Sequence, residues 1–272
     1  MLIYIRVDYN IRTSMIKKFA IILITTLALI GNVNASSDGE LLLKKNDPTE
    51  IKECWEGFNR ASFALNQGLD KVIFKPMASI YRTLPIPIKS GVSNSLDNLS
   101  NVITIPNNIL QGEFAKAGIN TGRFVINSTV GILGLIDVAS LMGFEEYEKE
   151  DYGQTLATYG AGPGCYIVLP VLGPSTARDT LSLTANFLGG DAWYNVTVKN
   201  DTQYFSDFDY YASKATSGVD FRAKNYDSIN NVEQNSIDFY ASVKSLYLQD
   251  RQQRILNAKT IVDTQDDSDW EE

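Results

Sequence analysis

Histidine is absent from all 272 residues of the chain. Its absence removes the imidazole base of Ser-His-Asp and Cys-His nucleophiles and the ligands of HExxH metal sites. A Ser-Lys pair does not fill the gap, because no Ser-x-x-Lys occurs outside the N-terminal leader. Catalysis would have to rest on carboxylates alone, and a non-enzymatic role is expected. Basic residues are also few: 24 Lys and Arg face 32 Asp and Glu, for a net charge of -8. With no basic cluster there is no electrostatic footprint for nucleic acid. Two cysteines without histidine make no metal-ligand cluster, so neither metal nor cofactor is expected. Sustained period-two alternation is missing too. The best strand candidate, TVKNDTQYF at 197–205, is weak.

The chain does carry an address. From Met15 it reads MIKKFAIILITTLALIGNVNASS, with Lys17 and Lys18 before an apolar core at Phe19–Ile30. Val33-Asn34-Ala35 supplies a small-residue cleavage site, placing the cut between Ala35 and Ser36. The apolar core falls short of the ~20 residues that a membrane-spanning helix needs. Residues 1–35 therefore read as an over-called start followed by a signal peptide, and 36–50 as a polar linker. Export permits Cys54 and Cys165 to form the single disulfide available to them. Two separate buried thiols are the other reading.

Apolar residues three and four apart argue for helices. The pattern runs from Trp55 through Phe58, Phe63, Leu65, Leu69 and Ile73 until Pro76. YRTLPIPIKS reads as a proline-broken crossing, and Val92, Leu96, Leu99 and Val102 resume the period until Pro106. It returns from Phe114 through Val125, and again through Ile237, Tyr240, Val243, Leu246 and Tyr247. The fold expected is mainly α, one domain over 51–258, closed by an acidic disordered tail at 259–272.

Three stretches invite function. GAGPG at 160–164 resembles a phosphate cradle, but no Lys-Ser/Thr follows and no βαβ frame surrounds it. A tight turn using Gly160, Gly162 and Gly164 is the expectation. GPSTA at 173–177 falls one residue short of a nucleophile elbow, with no base to activate Ser175. VGILGLIDVASLM at 130–142 is nearly all apolar, with Gly131 and Gly134 at small-x-x-small spacing. It is either buried core or a helical hairpin lying in an interface or lining an apolar passage.

EGFNR at 56–60, NNILQGEF at 107–114, RFVINSTVGILGLIDVA at 123–139, EDYGQTLATYGAGPGCYIVLPVLGPSTARD at 150–179 and SIDFYASVKSLYLQDR at 236–251 follow in that order. Together they resemble the MlaA/VacJ family of outer-membrane phospholipid-transport lipoproteins. The resemblance implies a single ring-like α-helical domain with an amphipathic helical hairpin and little or no sheet. It implies a protein at the inner leaflet of the outer membrane, beside a trimeric porin. An amphipathic channel would take misplaced phospholipid from the outer leaflet and hand it to a soluble periplasmic carrier. Val130, Ile132, Leu133, Leu135, Ile136, Leu141 and Met142 become candidates for the lipid path. Gly131, Gly134 and the glycines of 160–164 become hinges or turns, and Arg178 and Asp179 candidate headgroup contacts. Against the family pattern the sequence lacks a lipobox cysteine, which leaves open a soluble periplasmic scaffold or lipid-binding module. Both Cys54 and Cys165 stand where that pattern has prolines.

Overall fold

The computed structural model describes residues 51–186, 194–195 and 206–256. The signal peptide, the Ala35–Ser36 cleavage site, the linker, the strand candidate at 197–205 and the acidic tail lie outside the described residues.

The architecture is mainly α. Helix α1 (Glu56–Leu69) passes through a π-wound segment, Asp70–Phe74, into α2 (Lys75–Arg82). Next come α3 (Ile86–Leu110), α4 (Phe114–Thr129), a single turn α5 (Val138–Leu141) and α6 (Tyr152–Thr158). Two short antiparallel strands, β1 (Tyr166–Leu169) and β2 (Gly173–Thr176), pair with Tyr166 opposite Thr176. They are followed by α7 (Ala177–Ala185), α8 (Asp207–Lys224), α9 (Tyr226–Asn235) and α10 (Phe239–Ile255).

Neither interior proline ends a helix as the sequence suggests. At Pro76 the preceding turn is wound wide, so that Lys75 N–H reaches back five residues to the Asp70 carbonyl. The ring, which has no N–H to give, sits at the start of α2, where its missing donor and its bulk cost least. Pro106 lies inside α3, and the helix continues past it to Leu110. The chain does break at 83–85, where Pro85 caps α3.

A small conventional core surrounds β1. Tyr166, Val168, Tyr240 and Leu248 are buried together, with Ile51, Phe63 and Tyr247 packed against them. Tyr166 and Phe63 each meet the Tyr240 ring edge-on, at 6.2 and 5.3 Å between centroids. The approach to α1 is tied here twice. Tyr166 N–H donates to the Lys52 carbonyl (3.0 Å), and Cys54 and Cys165 form a disulfide with Cα atoms 5.7 Å apart. That separation lies within ordinary disulfide geometry.

Elsewhere the usual polarity is turned over. The buried residues of α3 are Lys89, Gly91, Ser93, Asn98, Asn101, Thr104, Asn107 and Asn108, and those of α4 are Ala117, Asn120, Arg123 and Asn127. Ile88, Ile109, Leu110, Phe114 and Val125 on the same two helices are exposed. The apolar series of α1 behaves likewise, with Trp55, Phe58, Leu65 and Ile73 all exposed.

Candidate functional site

Helices α3 and α4 form an antiparallel hairpin, joined by Gln111–Glu113 with Gly112 at φ +79°. Amide and hydroxyl groups hold its interior: Asn120 Nδ2 donates to Asn108 Oδ1 (2.9 Å), and Asn98 Nδ2 to Ser128 Oγ (2.8 Å). The helical hairpin is therefore built from 86–129, not from the apolar run at 130–142. That run caps the hairpin's open end as a series of turns. Ile132, Leu133 and Gly134 all adopt left-handed φ, at 55°, 57° and 88°, which a continuing helix does not allow. Gly131 has no room for a side chain, since a Cβ there would lie 2.2 Å from the Ile136 carbonyl oxygen. At Gly134 it would lie 2.7 Å from Asn98 Cβ. Val130, Ile132, Leu133, Leu135, Ile136, Leu141 and Met142 are all exposed, Leu133 at 70% and Leu141 at 81%. Apart from Ala139, the apolar residues of the run are not core.

Polar bonds fix this apolar loop from beneath. Arg123 donates through Nη2 to Asp137 Oδ2 (2.8 Å) and through Nη1 to Ser140 Oγ (3.0 Å) and the Phe144 carbonyl (3.1 Å). Asn127 gives Nδ2 to Asp137 Oδ1 (2.8 Å) and accepts Ala139 N–H at Oδ1 (2.9 Å). Burial would raise the Asp137 carboxyl, but Ser140, Asn127 and Arg123 together hold it below its ordinary value. Arg123, Asn127, Gly131 and Asp137 are thus the physical content of the RFVINST–G–DVA block.

The segment 150–179 is organised the same way. Gly160 and Gly164 take left-handed φ (87° and 68°), while Gly162 does not and stands in open space. GAGPG is a turn leading from α6 to β1. Ser175 is buried in β2 and accepts a hydrogen bond from Thr180 Oγ1 (3.0 Å). Arg178 and Asp179 lie in the interior: Arg178 Nε donates to Asp179 Oδ1 (2.9 Å), and Asp179 also receives Arg251 Nε (2.9 Å) and Tyr247 OH (2.9 Å) at Oδ2. Arg251 in turn grips Asp151 bidentately, at 2.6 and 2.7 Å. Burial would raise the Asp179 carboxyl, yet Arg251 and then Arg178 bring it down to about 2. Gly153 is forced by this network, because a Cβ there would sit 2.4 Å from Asp179 Oδ1 and 2.5 Å from Arg251 Nη2.

Asparagines also anchor α1 to the sheet. Asn59 accepts Val168 N–H (2.9 Å) and donates to the Tyr166 carbonyl (3.1 Å), as a neighbouring strand would. Two turns on, Asn66 repeats the pattern with Val171 N–H (2.6 Å) and the Leu169 carbonyl (2.9 Å). The segments singled out in the sequence are accordingly the buried polar scaffold, and the apolar residues between them face outward. The profile of the MlaA lipoprotein family matches residues 51–254.

The chain belongs to the MlaA lipoprotein family. It is 35% identical over 205 residues to an uncharacterized protein of Rickettsia prowazekii, covering 74% of this chain and 77% of the relative. It is 29% identical over 244 residues to the intermembrane phospholipid transport system lipoprotein MlaA of Haemophilus influenzae, covering 88% and 90%. A solved structure concerned with the maintenance of bacterial outer-membrane lipid asymmetry superposes with a TM-score of 0.62 at 32% identity. That superposition covers 75% of this chain and 98% of the other.

Sequence reasoning overlooked a third group. Ser93, Asp97, Asn101 and Thr104 recur on one face of α3, opposite the segment 144–150 and the end of α8. Thr104 Oγ1 accepts Glu150 N–H (3.3 Å), Lys149 Nζ donates to Asn101 Oδ1 (3.2 Å), and Lys224 Nζ donates to Ser93 Oγ. The Asn and Ser spacing within SNSLDNLSNVITIPNN was the available signal. Among the described residues, no three or more of His, Cys, Asp and Glu are placed to hold a metal ion. No helix there is long and apolar enough to cross a membrane.

Proposed function

We propose that this protein is a non-enzymatic phospholipid-transport component at the periplasmic face of the outer membrane. It withdraws misplaced phospholipid from the outer leaflet through an amphipathic passage and delivers it to a soluble periplasmic carrier. The observation that carries this reading is the inverted polarity of α1, α3, α4 and the 130–142 loop. Asn, Thr and Arg are buried, while Leu, Ile, Val and Phe are exposed. Water penalises such an exterior, and a hydrocarbon surface rewards it. A polar interior offers a headgroup hydrogen-bonding partners that acyl chains cannot supply. The names of the relatives point the same way.

In this reading Val130, Ile132, Leu133, Leu135, Ile136, Leu141 and Met142 meet acyl chains, and the exposed face of α1 and α2 rests in the leaflet or against a trimeric porin. Arg178 and Asp179 hold the wall, Arg178 donating to Asp179 and Asp179 also receiving Arg251 and Tyr247. The test is extraction of the full chain from membranes, with mass spectrometry of the lipid that accompanies it. Release only by detergent, together with intact phospholipid, is the expected result. Release by salt alone, without lipid, would indicate a soluble scaffold, and cleaved lipid would indicate hydrolysis.

A further inference from the structure

We infer that the polar stripe of α3 centred on Asp97 is a subsite for a zwitterionic phospholipid headgroup, with Lys149 taking its phosphate and Asp97 its amine. The inference rests on the transport reading above and adds a ligand class to it.

Ser93, Asp97 and Asn101 are spaced by four residues, so they stack along one side of α3 at ~6 Å per step. Lys224 is tethered at the Ser93 step, where it also pairs with Asp220 (3.2 Å). Lys149 is tethered at the Asn101 step, through the hydrogen bond to its amide oxygen. Asp97 lies midway. It is exposed to solvent, yet burial by surrounding protein pushes its carboxyl up while Lys149 and Lys224 draw it down.

Lys149 and Lys224 are near enough to act on Asp97 electrostatically, but neither closes on it. Among the described residues the Asp97 carboxylate makes no hydrogen bond or ion pair, and Lys149 makes no ion pair. Opposite charges held apart by their own tethers suit a ligand that carries both signs. A phosphate takes the Lys149 ammonium at the Asn101 step, and its attached amine reaches the Asp97 carboxylate one step, ~6 Å, away. An anionic headgroup without the amine meets the same lysine but is repelled by Asp97 and by Glu146, which also acts on this group. The site therefore discriminates by charge pattern and not by net charge.

The test uses the full chain in detergent, offered equimolar phosphatidylethanolamine and phosphatidylglycerol, with bound lipid read by native mass spectrometry. Phosphatidylethanolamine is expected to predominate. Asp97→Asn should lower its ratio to phosphatidylglycerol about tenfold, the worth of one hydrogen bond to a charged group. Lys149→Gln should lower occupancy by both lipids, and Lys149→Arg should restore it. Melting temperature identifies any variant that loses lipid by losing its fold, and a folded Asp97→Ser then supplies the ratio. Phospholipid bound with an unmoved ratio overturns the subsite and leaves the transport reading intact. Displacement of both lipids by millimolar inorganic phosphate also overturns it, by showing a plain anion site. A wild-type chain that takes up no phospholipid overturns the transport reading itself.

Discussion

Arg251 holds two carboxylates at once, and its side chain and that of Asp179 are nearly shut off from water. Removing one member of such a group strands charge in the interior, which costs about 3–5 kcal/mol. Arg251→Gln should reduce the unfolding free energy, measured by urea titration, by an amount in that range. The same group makes stability depend on acid. Asp179 ionises at about 2 in the folded chain against an ordinary 3.8. Its stabilisation is therefore complete above pH ~4 and disappears as pH falls through about 2, a loss of about 2 kcal/mol. Asp151, also held low by Arg251 against its burial, adds to that loss, whereas Glu150, pushed up by burial, opposes it. Melting curves between pH 5 and 2 should fall accordingly, and Arg251→Gln should flatten the fall.

At the scale of elements, two connections decide what the helices can do. The disulfide ties the approach of α1 to β1 across 111 residues of chain. Closing so long a loop is worth up to about 4–5 kcal/mol in the chain-entropy model. The double variant Cys54→Ser, Cys165→Ser should unfold at lower urea by up to that amount, as should the reduced wild type. The 130–142 loop is the other. Leu133 is exposed and left-handed, a conformation that Asp tolerates better than Leu. Leu133→Asp should keep its circular dichroism spectrum and thermal midpoint in detergent, yet lose affinity for phospholipid vesicles in a flotation assay. The loss should approach 2.5–3.5 kcal/mol, roughly the cost of a charge in hydrocarbon.

These elements were unevenly legible. The helical period along Trp55–Ile73 and Val92–Val102 located α1 and α3, but an apolar face reads as an inner face, and here Trp55, Phe58 and Leu65 point out. Periodicity carries no sign. Pro76 and Pro106 misled because a π turn absorbs the first and α3 runs through the second. Gly131 and Gly134 marked the 130–142 run as special, though their spacing suggested helix packing where the backbone needed a left-handed turn. Asp151, Arg251 and the Asp97 stripe were invisible for a simpler reason: their partners lie 46 to 131 residues away along the chain.

In the whole molecule, aromatic and aliphatic burial is concentrated where β1 meets α10, with the disulfide beside it, whereas α3, α4 and the loop at 130–142 rest on amide and guanidinium bonds beneath an apolar coat. The two regions answer to different solvents. Hydrophobic burial and a covalent tie work in water, but the coat gains only when an apolar partner such as lipid or detergent covers it. Local opening free energies then differ along one chain. In detergent-free buffer, deuterium should enter the amides of 86–142 early and those of 166–169 and 239–255 late, and adding phospholipid vesicles should slow only the former. On the transport reading proposed above, a chain built this way stays loose in its apolar-coated half until it meets lipid. On that reading it becomes rigid there only on contact, and the bilayer supplies the last part of its tertiary structure.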